Sequence, residues 1–341
     1  MPHPKYNTQK ALYAFALGLR ERSPWDYMSE QDMWVLCFPP PQGNLYAMVI
    51  GSMGESFGLV FYRGNRGLSA LEKISGQVMD TGEAIQHINC LAVNFDFWKD
   101  LRPDYRKRLQ RFGYTGDSGL WPSFLSHRPG KVPSHPDVAE ADILVHAIKH
   151  SIPILDEMFK DNEFLSQGGE GTVLHVIVGE PLSKAKWLPL PKAVEVRHKA
   201  APLDELGLKR LSCLELRPCS PWEVHVGNFG GGVWEGNEAF IPLIAIFADA
   251  ETGFIAGNAL SMDDEMPVEL PRKLLDAMTK HKAKPESFHV EEEKIEAYIM
   301  ALSEALGIPI VRKERLHKAR EAITEMRKHM GEGRGKRGRK G

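Results

Sequence analysis

The chain has 341 residues, 43% hydrophobic and 26% charged, which is enough for two ordinary domains. No stretch approaches the roughly 20 consecutive apolar residues of a membrane span, and the opening MPHPKYNTQK lacks an apolar signal core, so neither a membrane partner nor a secretion signal is expected. Net charge is -2, but residues 312–341 hold 12 Lys or Arg against 4 Asp or Glu; that +8 leaves -10 on residues 1–311, an asymmetry that points to an anionic partner.

The first unit opens with NTQKALYAFALGLRER, a predicted helix with Leu12, Phe15, Ala16 and Leu19 on one stripe and Asn7 or Thr8 as its cap. MWVLCF, LYAMVIGSM and FGLVFY follow as short strands separated by PPPQGN and GESFG. Their connections are too short for crossovers, so an antiparallel meander is expected. GLSALEKISGQ reads as a helix, HINCLAVNF as a strand, and FWKDLRPDYRKRLQRFG as a mostly helical basic segment. RPGKVPSHPD is a Pro-rich loop. VAEADILVHAIKHSIPILDEMFK is a strong helix with Pro153 expected to kink it, and GTVLHVIVG is a buried strand. EPLSKAKWLPLPK, with three prolines, marks a domain boundary.

A strand near Lys192 and a helix around LDELGLKRL open the second unit. FIPLIAIFADAETGFIAGNALS reads as two strands joined at DAETG. ELPRKLLDAMTKH, EEEKIEAYIMALSEALG and LHKAREAITEMRKHM read as helices, interleaved with the strands ESFHV and IPIVRK. The chain is therefore expected to be α+β. An N-terminal α+β domain with an antiparallel meander covers 1–180, and 181–191 is a linker. A C-terminal mixed α/β domain covers 192–330, and a disordered basic tail covers 331–341. The cysteines, Cys37, Cys90, Cys213 and Cys219, form no CxxC pair, which argues against a disulfide scaffold and suits a cytoplasmic location.

The hairpin FADAETGFIAG and the array PESFHVEEEKIEAYIMALSEALGIPIV resemble the layout of ribonuclease H-like folds, including transposase and integrase cores. In that family an acid on the first strand precedes a hairpin, a later strand brings a second carboxylate beside it, and a late helix supplies a third. The resemblance implies a C-terminal domain of ribonuclease H-like type. Its acidic positions would be Asp249, then Glu291 or Glu292, then Glu321 or Glu325. Such carboxylates hold paired Mg²⁺ or Mn²⁺ ions when the site is catalytic. The chain departs from the pattern: the second position lies in an EEE run, the hairpin leads quickly into a helix, and no DDE or DEDD set is present. The alternative is that Asp249 and Glu251 are turn residues and Glu291–Glu293 a helix N-terminus.

Over its length the chain also resembles a bacterial and archaeal group of two-domain proteins of unknown function. VIGSMGESFGLVFYRGNRGLSAL and FADAETGFIAG through LGIPIV carry this resemblance. Some members have a SEC-C zinc motif; no cysteine follows Cys219, so that motif is absent.

Other constellations have weaker claims. His146 and His150 share a helix face at metal-pair spacing, without HEXXH or an evident third ligand. GNFGGGVWEGNE, flanked by Trp222 and Trp234, matches no phosphate-loop motif and reads as a flexible connection. Phe61 and Tyr62 beside Arg63 and Arg66 offer one ring for stacking, whereas strand alternation turns one of the two to the core. Arg334, Lys336, Arg337, Arg339 and Lys340 are spaced by glycine and suit nucleic-acid phosphates without sequence specificity, or equally a solvated terminus that aids solubility. Three functions follow in order of expectation: a nonenzymatic interaction or nucleic-acid-associated protein, a small-molecule or peptide-binding module around Trp34, Phe57 and Tyr62, and a metal-dependent nuclease or phosphoryl-transfer enzyme.

Overall fold

The computed structural model describes residues 4–54, 56–76, 86–116, 119–193, 203–229, 231–236 and 238–337; at 4–6, 235, 238 and 329–337 it describes the backbone alone. The chain is α+β and divides into two compact units. One comprises residues 1–129 and 133–195, the other residues 130–132 and 196–341. Among the described residues no helix is long and apolar enough to cross a membrane.

In the first unit helix α1 (Pro4–Arg22) begins earlier than expected. Pro4 can open it because the first helical N–H needs no partner, so Asn7 and Thr8 lie within the helix. The meander is β1 (Met33–Cys37), β2 (Asn44–Ile50) and β3 (Phe57–Arg63), antiparallel throughout. Helix α2 (Gly64–Ser75), strand β4 (Cys90–Phe97) and helix α3 (Pro103–Arg111) follow. Strand β5 (Leu120–His127) escaped the sequence reading because Pro122 interrupts it; β4 is its one neighbouring strand in the sheet, whose edge tolerates a missing N–H at Pro122, while Ser126 bridges Ser134.

Helix α4 (Val138–Lys160) starts at a capping box made by Asp137 and Glu140 and continues through Pro153. Strand β6 (Thr172–Ile177) then lies parallel to β1. The stretch expected as a linker contributes β7 (Lys186–Pro189), which pairs with β6. Pro189, the last residue of β7, is again compatible with an edge position. The seven-stranded order is β5-β4-β3-β2-β1-β6-β7. The alternation of the strands sends Trp34, Ala47 and Phe61 into the core that includes α1 and α4 residues, and Val35, Tyr46 and Val173 to the other face, where they cluster with Leu68 of α2.

In the second unit the strand expected near Lys192 falls largely outside the described residues. Helix α5 (Glu205–Ser212) and the short strand β8 (Arg217–Cys219) precede β9 (Trp222–Asn228). The glycine-rich stretch holds a small antiparallel hairpin, β10 (Val233–Glu235) with β11 (Glu238–Phe240). Strands β12 (Leu243–Asp249) and β13 (Ile255–Ser261) form the predicted hairpin, with Gly253 at φ +74° in its turn. After helix α6 (Met266–His281) come β14 (Ala283–Pro285), parallel to β8, and β15 (Phe288–Val290), parallel to β9. Helix α7 (Glu293–Leu306), strand β16 (Ile310–Arg312) and helix α8 (Lys318–Arg337) complete the chain. The backbone of 331–337, expected as disordered tail, continues α8; Arg339 and Lys340 lie outside the described residues.

The five-stranded order is β13-β12-β9-β15-β16. Strand β9 is central, antiparallel to β12 and parallel to β15. One face buries Trp222, Val224, Val226 and Phe247 with residues of α5, α6 and α7. The other buries Ile244, Ile246 and Ala248 with Ala319 and Ile323 of α8.

Candidate functional site

The densest polar arrangement in the second unit forms where β9, the end of β15 and the start of α8 meet. Side chains alternate along β9. Trp222, Val224 and Val226 enter the apolar core, which turns Glu223 and His225 to the α8 side. Both are buried. Glu223 accepts the backbone N–H groups of His317 at 3.2 Å and Ala319 at 2.8 Å. It thereby satisfies two donors at the N-terminus of α8, which no intrahelical carbonyl can reach.

Glu291 follows β15 directly. Its oxygens accept Arg320 Nε at 2.8 and 2.9 Å and Leu316 N at 2.7 Å. His225 Nδ1 lies 3.2 Å from Glu291 Oε2. Farther along α8, Arg327 donates to the Asn228 carbonyl at 3.1 and 2.7 Å. The last helix is thus joined to the sheet by ion pairs and backbone caps. Burial pushes the Glu291 carboxyl upward, but Arg320, the Leu316 N–H and His225 outweigh it and hold it below the usual range. Burial and then the positive charge of Arg320 hold His225 well below its ordinary value, so the ring is neutral at pH 7.

The other acidic candidates lie apart from this arrangement. Asp249 stands opposite Trp222 in register, one residue out of phase with Ala248, which packs with α8 residues. Its Oδ1 accepts the N–H groups of Glu251 at 3.1 Å and Thr252 at 2.8 Å, and the Thr252 hydroxyl at 2.8 Å; Ser220 donates to its Oδ2. Burial raises its pKa, but the Ser220 and Thr252 bonds outweigh it and the net shift is downward. Glu292 is the N-cap residue of α7, Glu325 accepts Lys328 Nζ at 2.5 Å, and Glu321 is exposed on α8. Of the expected acids, only Glu291 enters the buried arrangement. Among the described residues no three His, Cys, Asp or Glu side chains are placed to share a metal ion. The donors also argue against a metal: the Glu291 oxygens face a guanidinium and an N–H, and those of Asp249 face hydroxyls and N–H groups.

Glu223, His225, Arg320 and Arg327 escaped the sequence reading. The available signal was WEVHV itself. Its apolar residues occupy one face and Glu223 and His225 the other, an alternation equally typical of a solvated strand. Only the position of β9 in mid-sheet, beneath α8, makes that polar face an interior one.

In the first unit the singled-out residues are structural. Arg63 Nη1 donates to Glu140 Oε1 at 2.6 Å, Nε to Asn89 at 2.9 Å and Nη2 to the His127 carbonyl at 3.0 Å. Ser126 and Arg128 also donate to Glu140. Trp34 is fully buried and donates to Ser151 at 3.1 Å, while Tyr62 packs on the opposite sheet face. A single pocket lined by Trp34, Phe57 and Tyr62 is therefore ruled out. His150 accepts the Gly179 N–H at 2.8 Å and its Nδ1 lies 2.9 Å from the His146 carbonyl, so both its ring nitrogens are occupied. A cavity of about 330 Å³ in the second unit is lined by Leu208, Leu211, Met278, Leu306, Lys209 and Lys284, among others, and by none of the acidic candidates.

Residues 10–176 match a family described as Domain of unknown function (DUF7309), and residues 207–327 match one described as Domain of unknown function (DUF6930). No curated protein matches the chain. The two matches fall one on each unit, and the chain is similar to a two-domain protein assembled from families of unknown function.

Proposed function

We propose that the chain is a noncatalytic, nucleic-acid-associated protein whose second unit has a ribonuclease H-like frame. Support for the frame comes from strand order: the β12–β13 hairpin on one side of β9 with β12 antiparallel to it, two parallel strands on the other, and helices on both faces. On that frame the first strand is β9 rather than β12. The first acidic position then falls on Glu223 or His225 and the second on Glu291. The late helix, α8, supplies Arg320.

The observation that carries the reading is the sign of the charge on α8. Where the frame would add a third carboxylate, this helix adds a guanidinium that neutralises Glu291. The same helix then runs into Arg334, Lys336 and Arg337, followed by Arg339 and Lys340. A carboxylate already paired with arginine is a poor metal ligand, whereas a basic chain end favours phosphates. Mg²⁺ and Mn²⁺ have no role in this reading.

The test is binding of fluorescent oligonucleotides to the full chain across a salt series. Deleting residues 331–341 removes five cations and should flatten the slope of log K against log salt by up to about 3.5 on single strands, roughly 0.7 for each contact. An unchanged slope would overturn the assignment to the tail. Mg²⁺-dependent cleavage by the parent protein, abolished in Glu291→Gln, would overturn the noncatalytic part.

A further inference from the structure

The acidic body contains a strongly basic segment in its first unit. From Lys99 to Arg111 there are six Lys or Arg and two Asp, in a region that is otherwise net negative. This segment contains α3, and α3 is firmly seated. Tyr105 and Leu109 are buried, and Tyr105 donates to the Phe124 carbonyl. Asp104 pairs with His135 and Arg102, which accounts for one of its two acids. Arg102 is also used locally, with its guanidinium 5.6 Å from the Tyr105 ring centroid.

What remains outward is Lys99, Lys107 and Arg111, all exposed, with Arg106 half-buried. Among the described residues none of these four has an ion-pair partner. The last turn of a helix favours cations, which accounts for Arg111 but not for Lys99, Arg106 and Lys107.

Aromatic residues flank the same helix. Phe97, at the end of β4, is 51% exposed. Trp98 leads into α3 and Tyr114 leads out of it, and both rings meet Trp121, at 5.4 and 6.3 Å. Both residues are half-buried and pack against the core at the edge of this surface. Cations that follow a backbone and rings that stack on bases are the two components of a single-strand binding surface.

We infer that α3, with Phe97 and with half-buried Trp98 and Tyr114 at its edge, is a contact surface for single-stranded nucleic acid on the first unit. It rests on the nucleic-acid reading of the chain but uses residues that the tail does not contain. An acidic polypeptide would engage the cations and leave Phe97 without a role; bases give the ring a partner.

The experiment measures anisotropy of labelled oligo-dT and oligo-rU of about 20 nucleotides, a length within reach of single-strand sites, on the full chain. Salt runs from about 50 to 200 mM. R106E/K107E/R111E should flatten the log K–log salt slope by about 2, three contacts at roughly 0.7 each. Phe97→Ala should weaken binding about tenfold and leave the slope unchanged, since stacking releases no counterions. Thermal melts should leave Phe97→Ala at the parent value, because its ring is exposed, and lower the triple variant by no more than a few degrees, from the reversed charges at Arg111 in the last turn and at half-buried Arg106.

Binding by the parent that both variants preserve would overturn the α3 surface and leave the tail reading intact. No binding by the parent would overturn both. Loss in the triple variant with no effect of Phe97→Ala, and equal competition by poly-glutamate, would make the surface a site for acidic polypeptide and overturn the single-strand assignment. Loss in both variants, persisting after deletion of residues 331–341, would support it.

Discussion

Replacing Glu291 by alanine removes at once the acceptor for Arg320 Nε, for the Leu316 N–H and for His225 Nδ1. Leu316 is 1% exposed, so its N–H would be left without water or a partner. An orphaned buried donor costs about 1–3 kcal/mol. His225 is also buried and loses its acceptor, adding about 1 kcal/mol. The Arg320 side chain is 46% exposed and can turn to solvent, so its loss adds little. The expected destabilisation is about 3 kcal/mol, within the range for breaking a buried pair. For a unit of this size that lowers the melting temperature by about 10 °C.

Calorimetry on the full chain reads the effect as a shift of one transition, because two units need not unfold as one. Glu291→Gln keeps an acceptor for Leu316 and should show about half the shift. A carboxylate held in place for metal chemistry behaves in the opposite way, since its removal relieves repulsion and commonly leaves stability unchanged or raised. A melting temperature that stays level or rises in Glu291→Ala would refute the structural role argued for this residue.

His225 predicts an acid-side loss of stability. Its ring is neutral in the fold, facing Glu291, Arg320 and Arg327, while the unfolded chain protonates it near pH 6.5. Its contribution is full above that pH and falls as pH drops, by up to about 1.4 kcal/mol per unit; Glu291, also lowered, adds to the loss nearer pH 4. Urea titrations at several pH values should show a shallower slope in His225→Gln, and identical slopes would refute this. In the first unit, Arg63→Met should cost about 3 kcal/mol, since the Arg63 and Glu140 side chains are 15% and 7% exposed. The more exposed Arg22–Asp156 pair should contribute under about 1 kcal/mol, and an Asp156→Ala effect equal to that of Arg63→Met would count against burial as the cause. Asp249→Ala should destabilise the β12–β13 turn by about 1–2 kcal/mol through its lost bonds to Glu251 and Thr252, measured by denaturant midpoint.

Local pattern sufficed for much of the fold. The meander strands, the DAETG turn and the helix ending at Gly307 follow from periodicity and from Pro and Gly chemistry. The strand containing Pro122 and the one at Lys186–Pro189 were hidden, because proline reads as a breaker except at an edge, and edges exist only once a sheet is assembled.

The site shows the same division more sharply. Composition and spacing alone determined where the positive charge lies and that Asp249 stands beside a tight turn, at the end of β12. Tertiary structure alone decided which carboxylates have partners. Asp249 and Glu291 look equivalent as acidic residues beside strands. Strand register puts Asp249 opposite Trp222, out of phase with the residues that meet α8, and leaves Glu291 beside His225 and Arg320. Glu223 and Glu291 are separated from their partners on α8 by 96 and 29 positions in sequence. No local pattern encodes such a pairing; it exists because β9 is central and α8 packs across it, where buried carboxylates are stable only with donors at hand.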